Sequence, residues 1–188
     1  MNRDDAYALM CQYTRSDSLR KHMLAVEAAM RAYARKFGQD ETTWAIVGLL
    51  HDFDYERWPN PPDHPLRGAE ILQQHGYPPH VIYAIKSHAD YLPECPRVSL
   101  LDKALYACDE LAGFITACAL VRPEGICGLQ AASVRKKMKQ KSFAAAVRRE
   151  DIVRGAEDLG VPLDEHIQFV IDAMAAQATQ LGLAPRAT

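Results

Sequence analysis

The stretch GLLHDFDYERW, residues 48–58, decides how the chain folds and what it is built around. It closes an apolar run that includes Trp44, Ile46, Val47, Leu49 and Leu50, then passes directly into His51, Asp52 and Asp54. An unpartnered imidazole or carboxylate in an apolar interior costs several kcal/mol or neutralises itself. These groups therefore lie just outside the core, or a positive charge meets them.

Around this stretch, apolar residues recur at three- and four-residue steps almost throughout, with no period-two alternation or hairpin signal, so the expected fold class is all-α. Helices are expected over about 3–13, after Ser16/Asp17 with Gly38 as C-cap, and after Asp40 into the quoted stretch. Prolines 59, 61, 62 and 65 force a loop that shapes the site entrance. Further helices follow at about 65–75, closed by Gly76, and at 79–88. A long helix runs from Ser99 to about Val121, with Asp102 at the capping-box position. Two more are expected near 150–159 and 163–181.

On four of these helices the core-facing stripe carries a group able to bind a metal. The stripes are Leu19, His22, Val26, Ala29 and Tyr33; Trp44, Val47 and His51; Val81, Ile85 and His88; and Leu101, Leu105, Asp109, Ala112 and Thr116. One histidine on an apolar face is more often a satisfied core residue than a ligand. Four such helices favour a shared cation, and imidazole with carboxylate suits iron, manganese, nickel, cobalt or zinc.

Composition bounds the rest. With 188 residues, 48% of them hydrophobic, and a formal net charge of −2, the chain fits one domain over 1–188 with a substantial core and no polyanion-binding character. The N-terminal residues lack an apolar signal region and no run approaches the ~20 residues of a membrane span, so a cytoplasmic protein without membrane or nucleic-acid partners is expected. Cysteines 11, 95, 108, 118 and 127 form no CxxC pair, and reduced, mostly buried thiols are expected. Oligomeric state is not legible.

His22, the adjacent His51-Asp52 and the distal Asp109, in that order on helices, resemble the HD superfamily of metal-dependent phosphohydrolases over about residues 18–120. GLLHD and YACDEL frame the motif. The resemblance implies a compact HD-domain helical bundle, here with a C-terminal helical extension over 121–188. It also implies a metal held by His22, His51, Asp52 and Asp109, and hydrolysis of a phosphate ester by metal-activated water, Asp52 being a catalytic residue. HPLRGAEIL (64–72) and SHAD (87–90) are similar to segments that supply two further histidines in the binuclear branch, which includes the HD-GYP phosphodiesterases. On that likeness His64 and His88 hold a second ion with Asp52 bridging.

Two features depart from HD-GYP proteins. Phe53-Asp54-Tyr55 stands where they place a lysine, and the GYP at 76–78 precedes His88 instead of following the last histidine. A cyclic dinucleotide substrate is not implied. The closer likeness is to small stand-alone bacterial HD hydrolases acting on a nucleotide or small phosphorylated metabolite. Two alternatives stay open, an HD-type di-iron oxygenase and a non-catalytic metal-containing regulatory or binding module.

Glu110 reads either as an exposed helix residue or as an orienting or proton-carrying group beside Asp109. The basic segment of Arg135, Lys136, Lys137, Lys139, Lys141, Arg148 and Arg149, with Ser133 as N-cap and Phe143 as anchor, reads either as a solvated face or as a phosphate clamp. Lys137 and Lys141, spaced i, i+4, are its candidate substrate contacts on a continuous helix. His75, His80 and His166 are expected at the surface or at helix ends, without chemistry.

Overall fold

The computed structural model describes residues 2–186, so the outermost positions of the expected 1–188 domain lie outside it. Ten helices and no strands are present among the described residues, as the all-α reading requires. They are α1 (Arg3–Tyr13), α2 (Asp17–Lys36), α3 (Glu41–Leu50), α4 (Asp63–Gln74), α5 (Pro79–Ser87), α6 (Leu100–Leu120), α7 (Ala131–Met138), α8 (Arg149–Leu159), α9 (Leu163–Ala175) and α10 (Ala178–Leu181).

Side chains able to satisfy free backbone N–H groups set the starts of the early helices. Asn2, Ser16 and Asp40 accept from the N–H groups of Asp5, Leu19 and Thr43. Ser99 and Asp102 form the expected reciprocal capping box at α6.

Helix α2 lies along α3, and α6 packs against α2, α5, α8 and α9. One apolar core runs from Ala6 to Leu183 and includes Met23, Tyr33, Leu50, Leu105, Phe114 and Val170. Close approach of α2 and α3 depends on Gly48: a Cβ there would lie 3.0 Å from backbone atoms of Glu27. Because α3 sits so near α2, its end at His51 opens beside His22.

Four sequence-based expectations need correction. Helix α4 starts at Asp63 and is kinked at His64 (φ −80°, ψ 132°), because a residue before proline, here Pro65, is driven from the helical to the extended region. Helix α7 begins after Gln130 rather than Ser133 and stops at Met138, so Lys137 and Lys141 do not share a continuous helix. The expected 163–181 helix is broken between α9 and α10 around Gln177, which has ψ 19°.

The fourth concerns His166, which is fully buried rather than at the surface. One turn into α9, it joins the inward stripe of Ile167, Val170, Ile171 and Met174. Its Nε2–H donates to the Ala107 carbonyl (2.9 Å), and its Nδ1 accepts from the Tyr33 hydroxyl (2.6 Å). His75 and His80 are exposed as expected. All five cysteines are free, with Cys95, Cys108 and Cys118 buried. No described helix is long and apolar enough to cross a membrane.

Candidate metal centre

Helix α3 ends at Leu50; His51 still has helical angles (φ −59°, ψ −36°), and the chain continues in a run of turns over 51–57. The turns are fixed from outside: Thr14 donates to the Phe53 carbonyl (2.8 Å), and Glu56 accepts the backbone N–H groups of Arg15 and Ser16 (2.8 Å each). This junction lets two consecutive residues, His51 and Asp52, aim at one place.

Two groups of side chains converge there. In the first, His22 Nε2 lies 3.2 Å from His51 Nε2 and 3.0 Å from Asp109 Oδ1. His51 Nε2 lies 3.4 Å from both Asp109 Oδ1 and Asp52 Oδ2. In the second, His64 Nε2 lies 3.3 Å from His88 Nε2 and 3.3 Å from Asp52 Oδ1, while His88 Nε2 is 3.5 Å from the same oxygen. Asp52 thus divides its carboxylate, Oδ2 toward His22 and His51, Oδ1 toward His64 and His88. All six residues named as metal ligands from the sequence meet here.

The donor chemistry fits a cation. Nδ1–H of His51 donates to the Gly48 carbonyl (2.8 Å), that of His88 to the Ile85 carbonyl, and that of His64 to Asp54 Oδ1 (2.8 Å). With the proton on Nδ1, each Nε2 presents a lone pair, and these lone pairs face one another and the Asp52 and Asp109 oxygens. Lone pairs and carboxylates gathered in a largely buried place repel unless positive charge joins them. Neighbouring donor atoms around one small cation, each ~2.0–2.2 Å from it, sit roughly 3.0–3.5 Å apart, and the contacts above match that spacing, His22 Nε2 and Asp52 Oδ2 being wider at 3.8 Å.

Titration behaviour shows the same demand. Burial opposes a charged His51, yet Asp52 and Asp109 outweigh it and hold its pKa well above the ordinary histidine value. His64 is likewise opposed by burial but raised to about 9 by its bonds to Asp52 and Asp54. Asp52 and Asp109 are held below the usual carboxylate range: burial pushes them up, and the facing histidines, His51 foremost, prevail. The carboxylates draw in positive charge, as protons or as metal ions.

Behind the ligands stand residues to which the sequence reading gave no role. Asp54, buried in the quoted stretch, accepts from His64 Nδ1 through Oδ1 and from the Gly68 N–H (2.8 Å) through Oδ2. Gly68 is needed for this approach, since a Cβ there would lie 2.8 Å from Asp54 Cγ. The Tyr91 hydroxyl donates to the His64 carbonyl, and the half-exposed Tyr55 sets its ring edge-on to His64. Asp54 belongs to the Phe53-Asp54-Tyr55 segment that carries no lysine. Its oddity as a carboxylate leaving an apolar helix was the only signal in the sequence.

The ligands open into a cavity of about 500 Å³, walled by Tyr55, Pro59, Pro61, Tyr91, Tyr106 and Arg148. Pro59 and Pro61 place the proline loop at this wall, as expected. Glu110 also lines the cavity; burial first, and then neighbouring Asp109, push its carboxyl up to about 7, while the Arg148 backbone N–H donates to its Oε2 (3.2 Å). Lys137 and Lys141 are not brought to this cavity. Lys137 lines a separate groove with Cys118, Leu129 and Gln140, its ammonium 4.6 Å from the Phe143 ring centre, and Lys141 is exposed in the turns after α7. A larger cavity of about 860 Å³, between α2, α9 and α10, is lined by Arg31, Arg35 and Phe169 and by no histidine.

The all-α scaffold thus brings together two histidine–carboxylate groups, joined by Asp52, each of which could hold a metal ion. The chain belongs to the HD domain family, whose sequence model matches residues 19–113. That span contains all six converging residues. No curated protein and no solved structure matches the chain significantly.

Proposed function

We propose that the protein is a metal-dependent hydrolase of a small phosphate ester, a nucleotide or another phosphorylated metabolite. The observation that carries this reading is the division of the Asp52 carboxylate between two histidine groups 3.3–3.5 Å away. His22, His51, Asp52 and Asp109 would hold one divalent transition metal ion, and Asp52, His64 and His88 a second. Such ions lower the pKa of water from 15.7 to about 7 and polarise phosphoryl oxygens, the two requirements of phosphate-ester hydrolysis at neutral pH.

The chain's own residues supply the remainder. Asp54 fixes the direction of His64, and the carbonyls of Gly48 and Ile85 fix those of His51 and His88, so the donors need no rearrangement. Glu110, titrating at about 7 with Oε2 on the Arg148 N–H, has Oε1 available to carry a proton to a departing alkoxide. Tyr55, Tyr91, Pro59 and Pro61 line the cavity beside the ligands and give a substrate ring and apolar surfaces to lie against. At about 500 Å³ the cavity has the size of a small-metabolite site.

The test is to load purified protein with manganese, iron, nickel, cobalt or zinc and assay 4-nitrophenyl phosphate, bis(4-nitrophenyl) phosphate and a panel of phosphorylated metabolites. Metal-dependent release of phosphate or nitrophenol is expected. Absence of hydrolysis with every metal would overturn the proposal, and oxygen consumption by the iron form would redirect it to oxygenase chemistry.

A further inference from the structure

Among the residues lining the cavity next to the ligands, Arg148 is the sole Lys or Arg, and it shares that lining with Asp52, Asp90, Asp109, Glu110 and Asp151. It stands at the N-cap of α8, its side chain 62% exposed, with Nη1 3.1 Å from Asp151 Oδ2. Asp151 is buried, and a buried carboxylate stripped of its partner is strongly destabilising. It has a second partner, however: Arg154 Nη2 donates to the other oxygen, Oδ1, at 2.8 Å. Arg154 is itself fixed, with Nε on the Tyr106 hydroxyl (2.9 Å) and Nη2 on Asp90.

The two arginines therefore differ in kind. Arg154 has three side-chain partners and holds Asp151 in place, whereas the guanidinium of Arg148 has one side-chain partner and open solvent beside it. Arg148 can leave Asp151 without orphaning it. Its backbone meanwhile stays anchored through the N–H bond to Glu110, which keeps the side chain at the cavity wall.

Resting on the hydrolase reading above, we propose that Arg148 is the residue that grips the substrate's phosphate, its guanidinium swinging from Asp151 onto two phosphate oxygens while Arg154 keeps Asp151 paired. A planar guanidinium suits this because it offers two parallel N–H donors to an oxyanion, which a lysine ammonium does not. The anion contact sought in Lys137 and Lys141 is supplied instead from the start of α8.

The experiment compares metal-loaded wild type, Arg148→Gln and Arg148→Lys, reading orthophosphate affinity by calorimetry, metal content, and KM and kcat for whichever ester the wild type hydrolyses. In parallel, phenylglyoxal modification of Arg148 in the wild type is followed by mass spectrometry with and without orthophosphate. Expected are a loss of orthophosphate affinity of about tenfold or more in Arg148→Gln, the scale of a charge-assisted pair, with partial recovery in Arg148→Lys. Unchanged metal content, a rise in KM larger than the fall in kcat, and protection of Arg148 from modification are also expected. Equal orthophosphate affinity in all three proteins, or modification of Arg148 indifferent to orthophosphate, overturns the assignment. Hydrolysis by the wild type with unaltered kinetics in Arg148→Gln defeats this assignment and leaves the hydrolase reading standing. Orthophosphate held through Arg148 by a protein that cleaves no ester upholds the anion contact and defeats the hydrolase reading.

Discussion

Asp54 Oδ1 lies 2.8 Å from Nδ1 of His64 and, with Asp54 wholly buried, this carboxylate decides which way the His64 ring points. The same carboxylate takes the Gly68 N–H, so it is braced between the turns after α3 and the body of α4. The relation fixes the tautomer as well as the direction: with the proton on Nδ1, Nε2 carries the lone pair toward Asp52.

Loosening Asp54 should therefore weaken one metal group and spare the other. Asp54→Asn is expected to lower affinity for the ion at His64 and His88 by about 10- to 100-fold, the usual scale for a residue behind a ligand. Gly68→Ala should act the same way, because its Cβ would meet Asp54 at 2.8 Å. Metal titration followed by elemental analysis would check this. Loss of both ions together, or of neither, would refute the division of labour.

The Asp52 carboxylate makes a complementary prediction. Asp52→Ala removes an oxygen from each group and is expected to abolish hydrolysis and reduce occupancy at both. His51→Ala should abolish hydrolysis and act mainly on the group with His22 and Asp109. Circular dichroism should show helical proteins in both cases, because the core beneath consists of apolar residues such as Leu49, Leu50 and Leu105. Undiminished turnover in either variant would remove these residues from the site.

How much of this was legible in the sequence follows from the range of the forces involved. His22, His51, His88 and Asp109 could be read because helical periodicity alone puts them on core-facing stripes, and four polar intrusions into apolar stripes are hard to explain separately. Asp54 could not be assigned a partner, because it reaches His64 across the turns after α3 and a kink at the start of α4. Arg148 was visible only as one member of the basic segment; what sets it apart from Lys137 and Lys141, its link to Glu110, joins residues 38 apart and leaves no local pattern. Lys137 and Lys141 were paired by assuming that the helix continues, which fails when α7 stops at Met138. His166 misled because nearness to a helix start suggests exposure, while the stripe of α9 turns it inward.

Glu110→Gln keeps the shape of the side chain and its bond to the Arg148 N–H but cannot release a proton. If Glu110 protonates the leaving group, kcat should fall by about 10²-fold or more while metal content and KM stay close to wild type. Esters with very acidic leaving groups need little protonation, so the defect should be smaller for 4-nitrophenyl phosphate than for an alkyl phosphate. Equal defects on both substrates would count against the proton-donor role.

His166 gives a prediction about stability that is separable from the metal groups. Burial lowers its pKa from 6.5 to about 4, and Lys36 adds to the lowering, while the bond to the Ala107 carbonyl opposes them. In the folded protein the ring is neutral, with both nitrogens satisfied by Ala107 and Tyr33. Above pH 6.5 the ring is neutral in the folded and unfolded chains alike and contributes no pH dependence. Between 6.5 and about 4 the unfolded chain binds a proton that the folded one refuses, so stability falls as the pH falls. Below about 4 both forms are protonated and the loss is complete. At 1.36 kcal/mol per pKa unit the total is ~3 kcal/mol. Urea unfolding of metal-free wild type and His166→Gln, compared at about pH 7 and about pH 4, isolates this contribution, because titration of the histidines and carboxylates around Asp52 is common to both proteins and cancels in the difference. Wild type is expected to lose ~3 kcal/mol more than the variant across that interval. Parallel losses in the two proteins would mean that His166 takes up its proton without unfolding the chain.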